Sequence, residues 1–272
     1  MKVLIIGAGN MGMTYGQGMV NSNVVKPVNV YVLDKSEEKR AVVGKISTQP
    51  MFTEPGEFVG EVDLIILSVK PQDFSRLSSS IKPYLNPSQL VLSIMAGVSM
   101  KDIESHLGIP KIIRAMPNLP AQVGRGMTVF TTSPEVSTKE ILDAQNLLNT
   151  TGKTLYTEKE DMVDAATAIS GSGPAYVFYY MQSMIEGAER MGFTPSEALL
   201  LVEQTFAGSL QLFQHHNLNC KDWINRVSSR GGTTEAAMKS FDMDHVNTLI
   251  DKGLEEARKR AIELSKEVGE TK

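Results

Sequence analysis

Val3-Leu4-Ile5-Ile6-Gly7-Ala8-Gly9-Asn10-Met11-Gly12 stands almost at the start of the chain, and its reading decides the architecture. Four apolar residues without polar alternation describe a strand buried on both faces, as in a parallel sheet. A Gly-x-Gly-x-x-Gly segment follows at once and leads into a helical pattern over Met11 to Val20. In that strand–turn–helix setting Gly7 allows the tight turn and Gly9 lets a pyrophosphate approach the backbone. Gly12 lets helix and strand pack closely.

Working outward, further strands are expected at Val28 to Leu33, Asp63 to Val69, Leu90 to Ile94, Lys111 to Met116 and Gly126 to Phe130. Helical stretches such as Lys101-Asp102-Ile103-Glu104 lie between several of them. Strand–helix alternation predicts an α/β Rossmann-type doubly wound sheet domain over residues 1–156. Asp34 ends the second strand, where an acid accepts the 2′-hydroxyl of NAD and repels the 2′-phosphate of NADP. Lys35 and Ser36 follow it and can serve a phosphate if Asp34 turns away. In an open parallel sheet the ligand crevice lies beyond the C-terminal strand ends. Ser68-Val69-Lys70-Pro71, Ile94-Met95-Ala96-Gly97 and Pro117-Asn118-Leu119-Pro120 should therefore face the cofactor.

After Tyr156 no further strand is expected. Pro174 to Met191 is apolar nearly all round, and Thr194-Pro195-Ser196-Glu197 is a capping box with proline at the first helical position, opening a helix to about Phe213. A last helix runs from about Val246 to Val268, with Glu255/Lys259 and Glu256/Arg260 at i,i+4 spacing. Residues 157–272 are thus expected to form an all-α domain. Its apolar helices exceed what so small a domain covers alone, so burial against a second subunit is predicted. The uncharged run Ala165 to Ile185 reads as a buried helix pair joined by a loop, because Gly171, Gly173 and Pro174 interrupt it. Two small-residue loops in this half, Ile169 to Tyr176 and Val227 to Glu235, each run into a helix. Each offers backbone N–H groups suited to an anion.

The net charge of −4 gives no electrostatic reason to expect nucleic acid or a membrane as partner. One cysteine, Cys220, excludes an internal disulfide, and His106, His215, His216 and His245 lack metal-ligand spacing. No metal is expected. The first residues show no signal-peptide core, and a cytoplasmic location is expected.

Alcohol oxidation on this layout needs a side chain to handle the hydroxyl proton. In 6-phosphogluconate and 3-hydroxyacid dehydrogenases a lysine fills that role, yet here no lysine occurs between Lys159 and Lys221. A substrate that arrives as a protonated C=N needs no such acid, and its reduction runs on positioning, charge and hydride supply.

The motifs then become specific. Ser68-Val69-Lys70-Pro71, Ser93 to Ser99, Met116-Pro117-Asn118-Leu119-Pro120, Asp164 to Phe178 and Val227 to Glu235 together resemble the pyrroline-5-carboxylate reductase family over nearly the whole chain. The resemblance implies reduction of L-1-pyrroline-5-carboxylate to L-proline with NADPH or NADH, the final step of proline synthesis. It also implies a helical domain that forms a homodimer, with decamers in many members. Cofactor contacts are implied at Ile6, Gly7, Ala8, Gly9, Asn10 and Met11, at Ser68, Val69, Lys70 and Pro71, and at Ile94, Met95 and Ala96. The substrate carboxylate is implied to lie on Ser229, Gly231, Gly232, Thr233 and Thr234. The resemblance further implies that Thr234 lies near the ring nitrogen as the catalytic residue and that Glu160 belongs to the same pocket. Gly12, Asp34, Lys35 and Asn118 complete the candidate cofactor set. From the residues alone, Gly231 to Thr234 precede a helix and can bind a carboxylate, or the two threonines merely cap that helix.

Three departures stand out. Arg230 occupies a position usually held by proline, Leu119 one often held by threonine, and Asp34 with Pro55 put NADPH preference in doubt, leaning towards NADH. The alternatives are a related imine or hydroxyacid reductase on the same scaffold, or a non-catalytic regulatory paralogue.

Overall fold

The computed structural model describes residues 1–270, with side chains through 264. It places the opening strand at the centre of one eight-stranded sheet. The strands are β1 (Val3–Ile6), β2 (Val30–Leu33), β3 (Met51–Phe52), β4 (Leu64–Leu67), β5 (Leu90–Ser93), β6 (Ile112–Met116), β7 (Gly126–Thr132) and β8 (Gly152–Tyr156). Their order is β3-β2-β1-β4-β5-β6-β7-β8. Neighbours from β3 to β6 are parallel, β6 and β7 are antiparallel, and β7 and β8 are parallel.

Both faces of the central strands are covered. Val3, Ile5, Leu64, Ile66, Leu90 and Leu92 pack into one core with Tyr15 and Met19. The alternate residues Leu4, Ile6, Ile65, Leu67 and Val91 pack into another with Phe74, Ile103 and Leu107. This two-sided burial is why the strands read as unbroken apolar runs. Each fully buried Ile or Leu contributes roughly 1.5–3 kcal/mol.

The helices flanking the sheet are α1 (Asn10–Asn21), α2 (Arg40–Val43), α3 (Phe74–Ile81), α4 (Met100–Leu107), α5 (Thr138–Leu148) and α6 (Asp161–Ala166). A π-helical turn at Thr167–Gly171 follows α6. Beyond it come α7 (Gly173–Arg190), α8 (Pro195–His215), α9 (Cys220–Val227), α10 (Thr233–Met243) and α11 (Val246–Glu270). The chain divides into two compact units, Met1–Pro174 with the chain from Glu256 onward, and Ala175–Glu255. The last strand ends at Tyr156, where the sequence pattern changes, and the first unit runs on through α6 and the π turn.

The capping box forms as expected. Thr194 Oγ1 accepts from the Glu197 N–H, and the Glu197 carboxylate accepts from the Thr194 N–H at 2.9 Å. On α11, Lys259 pairs with Glu256 and Arg260 with Glu263, at i,i+3. Two details differ from the sequence reading. Strands β3 and β8 were not expected. The expected burial of the Ala165 to Ile185 run holds for Ala166 and Ala168 but not for α7, none of whose residues is buried by its own chain. No described helix is long and apolar enough to cross a membrane.

Candidate functional site

Successive strands are added to one side of β1 up to β3 and to its other side from β4 onward, so the C-terminal ends of the parallel neighbours β1 and β4 form the crevice that open α/β sheets use for ligands. The glycine loop lies there. Gly7 turns at φ +100°, and its N–H donates to Leu33 O at 2.9 Å. A Cβ on Gly12 would stand 2.3 Å from Gly7 O and 2.4 Å from Ser68 Oγ, so only glycine lets α1 approach this closely. A Cβ on Gly9 would meet nothing within 4 Å, and Gly9 caps α1 without a side chain. The backbone therefore leaves open space at the N-terminus of a twelve-residue helix. That cradle fits a pyrophosphate.

Ser68 ties the two strand ends together, its hydroxyl donating to Gly7 O at 2.6 Å. Val69 is half-buried, Lys70 is exposed and Pro71 opens a short 3₁₀ turn. At the end of β5, Ile94 and Met95 are buried in opposite cores, so this loop offers its backbone and Ala96 to a ligand. Ile6, Ala8, Asn10 and Met11 lie on the same β1–α1 turn, with Asn10 exposed and Met11 half-buried.

Asp34 is drawn into the loop. Its carboxylate accepts from Ala8 N–H at 2.7 Å and Ser36 N–H at 2.8 Å, with Lys39 Nζ at 3.4 Å. Its side chain is 11% exposed, so the charge is fixed at the rim of the crevice. Lys35 pairs instead with Asp73 at 3.9 Å. The amide of Asn118 is spent on structure: Nδ2 donates to Ser170 O at 3.0 Å and Oδ1 accepts from Met127 N–H at 2.9 Å. It anchors the π turn to β7.

Glu160 sits just before α6 and is held by two donors. Oε1 accepts from Arg114 Nη1 at 2.9 Å and from Met100 N–H, the first residue of α4, at 2.8 Å. Arg114, on β6, also donates to Asp164 on α6. Neither Arg114 nor Asp164 was singled out from the sequence. The available signal was an arginine inside the apolar run Ile112-Ile113-Arg114-Ala115-Met116, since a charge at a buried strand position requires a partner.

In the second unit Gly232 caps α10 without a side chain, and Thr233 and Thr234 occupy the first helical positions. No side-chain capping bond forms, so the capping alternative for these threonines is not realised. Ser229 Oγ packs against Gly232, where a Cβ would lie 2.5 Å away. Gly231 N–H donates to Glu235 Oε2 at 2.6 Å, and Lys239 holds the other carboxylate oxygen at 3.2 Å. The Gly231 hydrogen bond and, after it, Lys239 keep the Glu235 carboxyl below the usual carboxylate range. One amide of this loop thus already binds a carboxylate from its own helix. Arg230 is exposed. Among the described residues no cluster suits a metal ion.

Comparison with known proteins agrees with both halves. A family model described as pyrroline-5-carboxylate reductase dimerisation matches residues 160–264. One described as NADP oxidoreductase coenzyme F420-dependent matches residues 2–97. The pyrroline-5-carboxylate reductase of Pseudomonas aeruginosa is 34% identical over 270 residues, covering 99% of this chain and 98% of that one. Pyrroline-5-carboxylate reductase 2 of Bacillus subtilis is 33% identical, covering 98% and 96%. A solved structure of a pyrroline-5-carboxylate reductase from Coxiella burnetii superimposes with TM-score 0.87 at 31% identity, over 97% of this chain and 98% of that one. The Plasmodium falciparum pyrroline carboxylate reductase, solved with NADP bound, gives TM-score 0.85 at 26% identity, over 97% and 98%. The chain belongs to the pyrroline-5-carboxylate reductase family.

Proposed function

We propose that this chain reduces L-1-pyrroline-5-carboxylate to L-proline with NAD(P)H, the final step of proline biosynthesis. One observation carries the reading. A family-matched chain joins a glycine cradle open at Gly9 to an amide loop, Gly231 to Thr234, whose threonines are not consumed by capping.

A bound nicotinamide dinucleotide supplies the hydride that adds to C5 of the substrate. Ile6 to Gly12 would hold its pyrophosphate, Asp34 and Lys35 would face its adenosine ribose, and Ser68 to Pro71, Ile94 to Ala96 and Asn118 would line the rest of its path. The N–H groups of Thr233 and Thr234 hold the substrate carboxylate, helped by the Ser229 hydroxyl and the partial positive charge at the start of α10, while Gly231 and Gly232, whose own N–H groups go to Glu235 and Ser229 O, shape the loop around it. Thr234 orients the ring nitrogen, and Glu160 lies against the same substrate. Because the imine is already protonated, its π pair settles on a nitrogen that carries its hydrogen, and no side chain must deliver a proton during reduction.

The fixed carboxylate of Asp34 favours NADH, since a 2′-phosphate placed beside it meets like charge. The working molecule is a homodimer formed through the helical domain and located in the cytoplasm, with a decamer of such dimers as the alternative assembly. Steady-state oxidation of NADH and of NADPH with chemically prepared pyrroline-5-carboxylate tests the reading. Turnover of that imine, and of L-proline or thiazolidine-4-carboxylate in reverse, supports it. Turnover of hydroxyacids alone refutes it, and absence of all turnover points to the regulatory alternative.

A further inference from the structure

Arg114 is one of the largest fully buried side chains in the molecule, 2% exposed. Burying a guanidinium is costly unless its charge and donors are matched. Two carboxylates match it, but in an unusual division. Nη1 goes to Glu160 and Nη2 to Asp164, while buried Nε finds no partner among the described residues. The fork is not bidentate on one acid. It is split across two acids that stand four residues apart around the start of α6. Like charges at that spacing repel, and Arg114 sits between them.

The consequence for Glu160 is directional. Oε1 is saturated by Arg114 and by the Met100 amide, so the carboxylate cannot rotate freely. The side chain is still 30% exposed, and among the described residues Oε2 accepts no hydrogen bond. Met100 also begins the helix that follows the Ile94 to Ala96 loop, so the same oxygen links Glu160 to the end of that loop.

We propose that Arg114 is a positioning residue for the reduction: it fixes Glu160 through Oε1, so that Oε2 is presented to the N–H of the substrate ring. The proposal rests on the assignment of Glu160 to the substrate pocket. Arg114 touches no substrate itself. A fixed carboxylate holds the protonated imine in one orientation and stabilises its charge without waiting for a side chain to reorganise.

The test uses the full-length enzyme and five variants. Arg114→Lys keeps the cation, but one ammonium cannot divide itself as the fork does. It is expected to raise KM for pyrroline-5-carboxylate and lower kcat, each on the order of tenfold, with KM for NAD(P)H within about twofold. Met100→Pro deletes the second donor to Oε1 at a position where helices accept proline, and Met100→Ala, which trims the same side chain from the edge of the core but keeps the N–H, is its control; a smaller rise of the same kind is expected in the proline variant and none in the alanine one. Asp164→Asn disturbs the same buried cluster without releasing Glu160, so substrate KM should stay within about twofold. Glu160→Ala reports on the pocket assignment itself.

Substrate KM raised by Glu160→Ala but unchanged in Arg114→Lys and Met100→Pro overturns the positioning role and leaves the pocket reading standing. An equal rise in Asp164→Asn and Arg114→Lys also overturns it, because general loosening of the cluster then explains both. Substrate KM unchanged in Glu160→Ala refutes the pocket assignment. Should Arg114→Lys fail to fold, Met100→Pro measured against Met100→Ala decides.

Discussion

At the scale of single residues, the chemistry is placed on groups that the fold leaves unspent. Thr234 sits in the first turn of α10 with no capping duty. Replacing it with alanine removes a hydroxyl while leaving the helix start intact. Substrate KM is expected to rise about tenfold, equivalent to one hydrogen bond of roughly 1.4 kcal/mol. Turnover should fall with it while KM for NAD(P)H stays constant; equal loss of both affinities in steady-state kinetics would contradict the role. Asp34 makes the opposite kind of case, since its carboxylate already serves Ala8 and Ser36. Asp34→Asn keeps the shape and one acceptor and removes the charge. The ratio of kcat/KM for NADPH over NADH is expected to rise at least roughly tenfold, because juxtaposed like charges cost several kcal/mol. An unchanged ratio would place the 2′ position away from Asp34. The glycine, serine and threonine motifs were legible from the sequence because they are contiguous. Arg114 was not, because its acids lie 46 and 50 positions away, and the sequence gives no hint of which acid it meets.

Elements were legible where the local signal was strong. Continuous apolar runs announced β1, β4 and β5, and a Thr-x-x-Glu box announced α8. Strand β3 has two residues and β8 is mostly exposed, so neither has an apolar run to betray it. The start of α5 carries a titratable device of its own. Burial pushes the Glu140 carboxyl up, but hydrogen bonds from Lys111 and Ser137 outweigh that and hold it at about 2 against an ordinary 4.5. Lys111 Nζ lies 2.8 Å from Glu140 Oε1, joining the chain before β6 to the cap of α5. A depressed carboxyl stabilises the fold above the unfolded value and stops doing so as pH falls through the folded one. The wild-type protein should therefore lose on the order of 2 kcal/mol from this group between about pH 4.5 and about pH 2. Urea unfolding of Lys111→Met should show that acid-dependent loss reduced; the same pH dependence as wild type would remove Lys111 from the account. The β1–α1 joint gives a sharper expectation. Gly12→Ala drives a methyl into Gly7 O and Ser68 Oγ, and a penalty of about 3 kcal/mol is expected together with loss of dinucleotide binding. Calorimetric melting and fluorescence titration with NADH would check both parts, and a variant that melts and binds like wild type would contradict the close approach.

At the scale of the whole molecule, the two compact units differ in how they treat apolar surface. The sheet unit hides its strands on both faces, whereas the helical unit leaves Phe178 at 60%, Tyr179 at 74% and Leu200 at 65% exposed. Large apolar side chains left open on this scale mark a surface meant for a partner. The match to a dimerisation family over residues 160–264 identifies that partner as a second copy of the chain. This explains why the run from Ala165 to Ile185 reads as buried although its own chain does not bury α7: the sequence records the environment of the assembly. The consequence is measurable. Phe178→Asp and Leu200→Asp each place an unpaired charge where an apolar contact is expected, at about 3–5 kcal/mol when such a charge stays buried, so each should weaken dimerisation on the order of a hundredfold or more. Neither residue belongs to the sheet unit, so cofactor binding by that unit should survive. Light scattering on the double variant should return the mass of a monomer at concentrations where the wild-type protein is a dimer or larger. Retention of the wild-type mass would mean that α7 and α8 are covered by something other than a second copy, and the homodimer assigned to this helical unit would have to be abandoned.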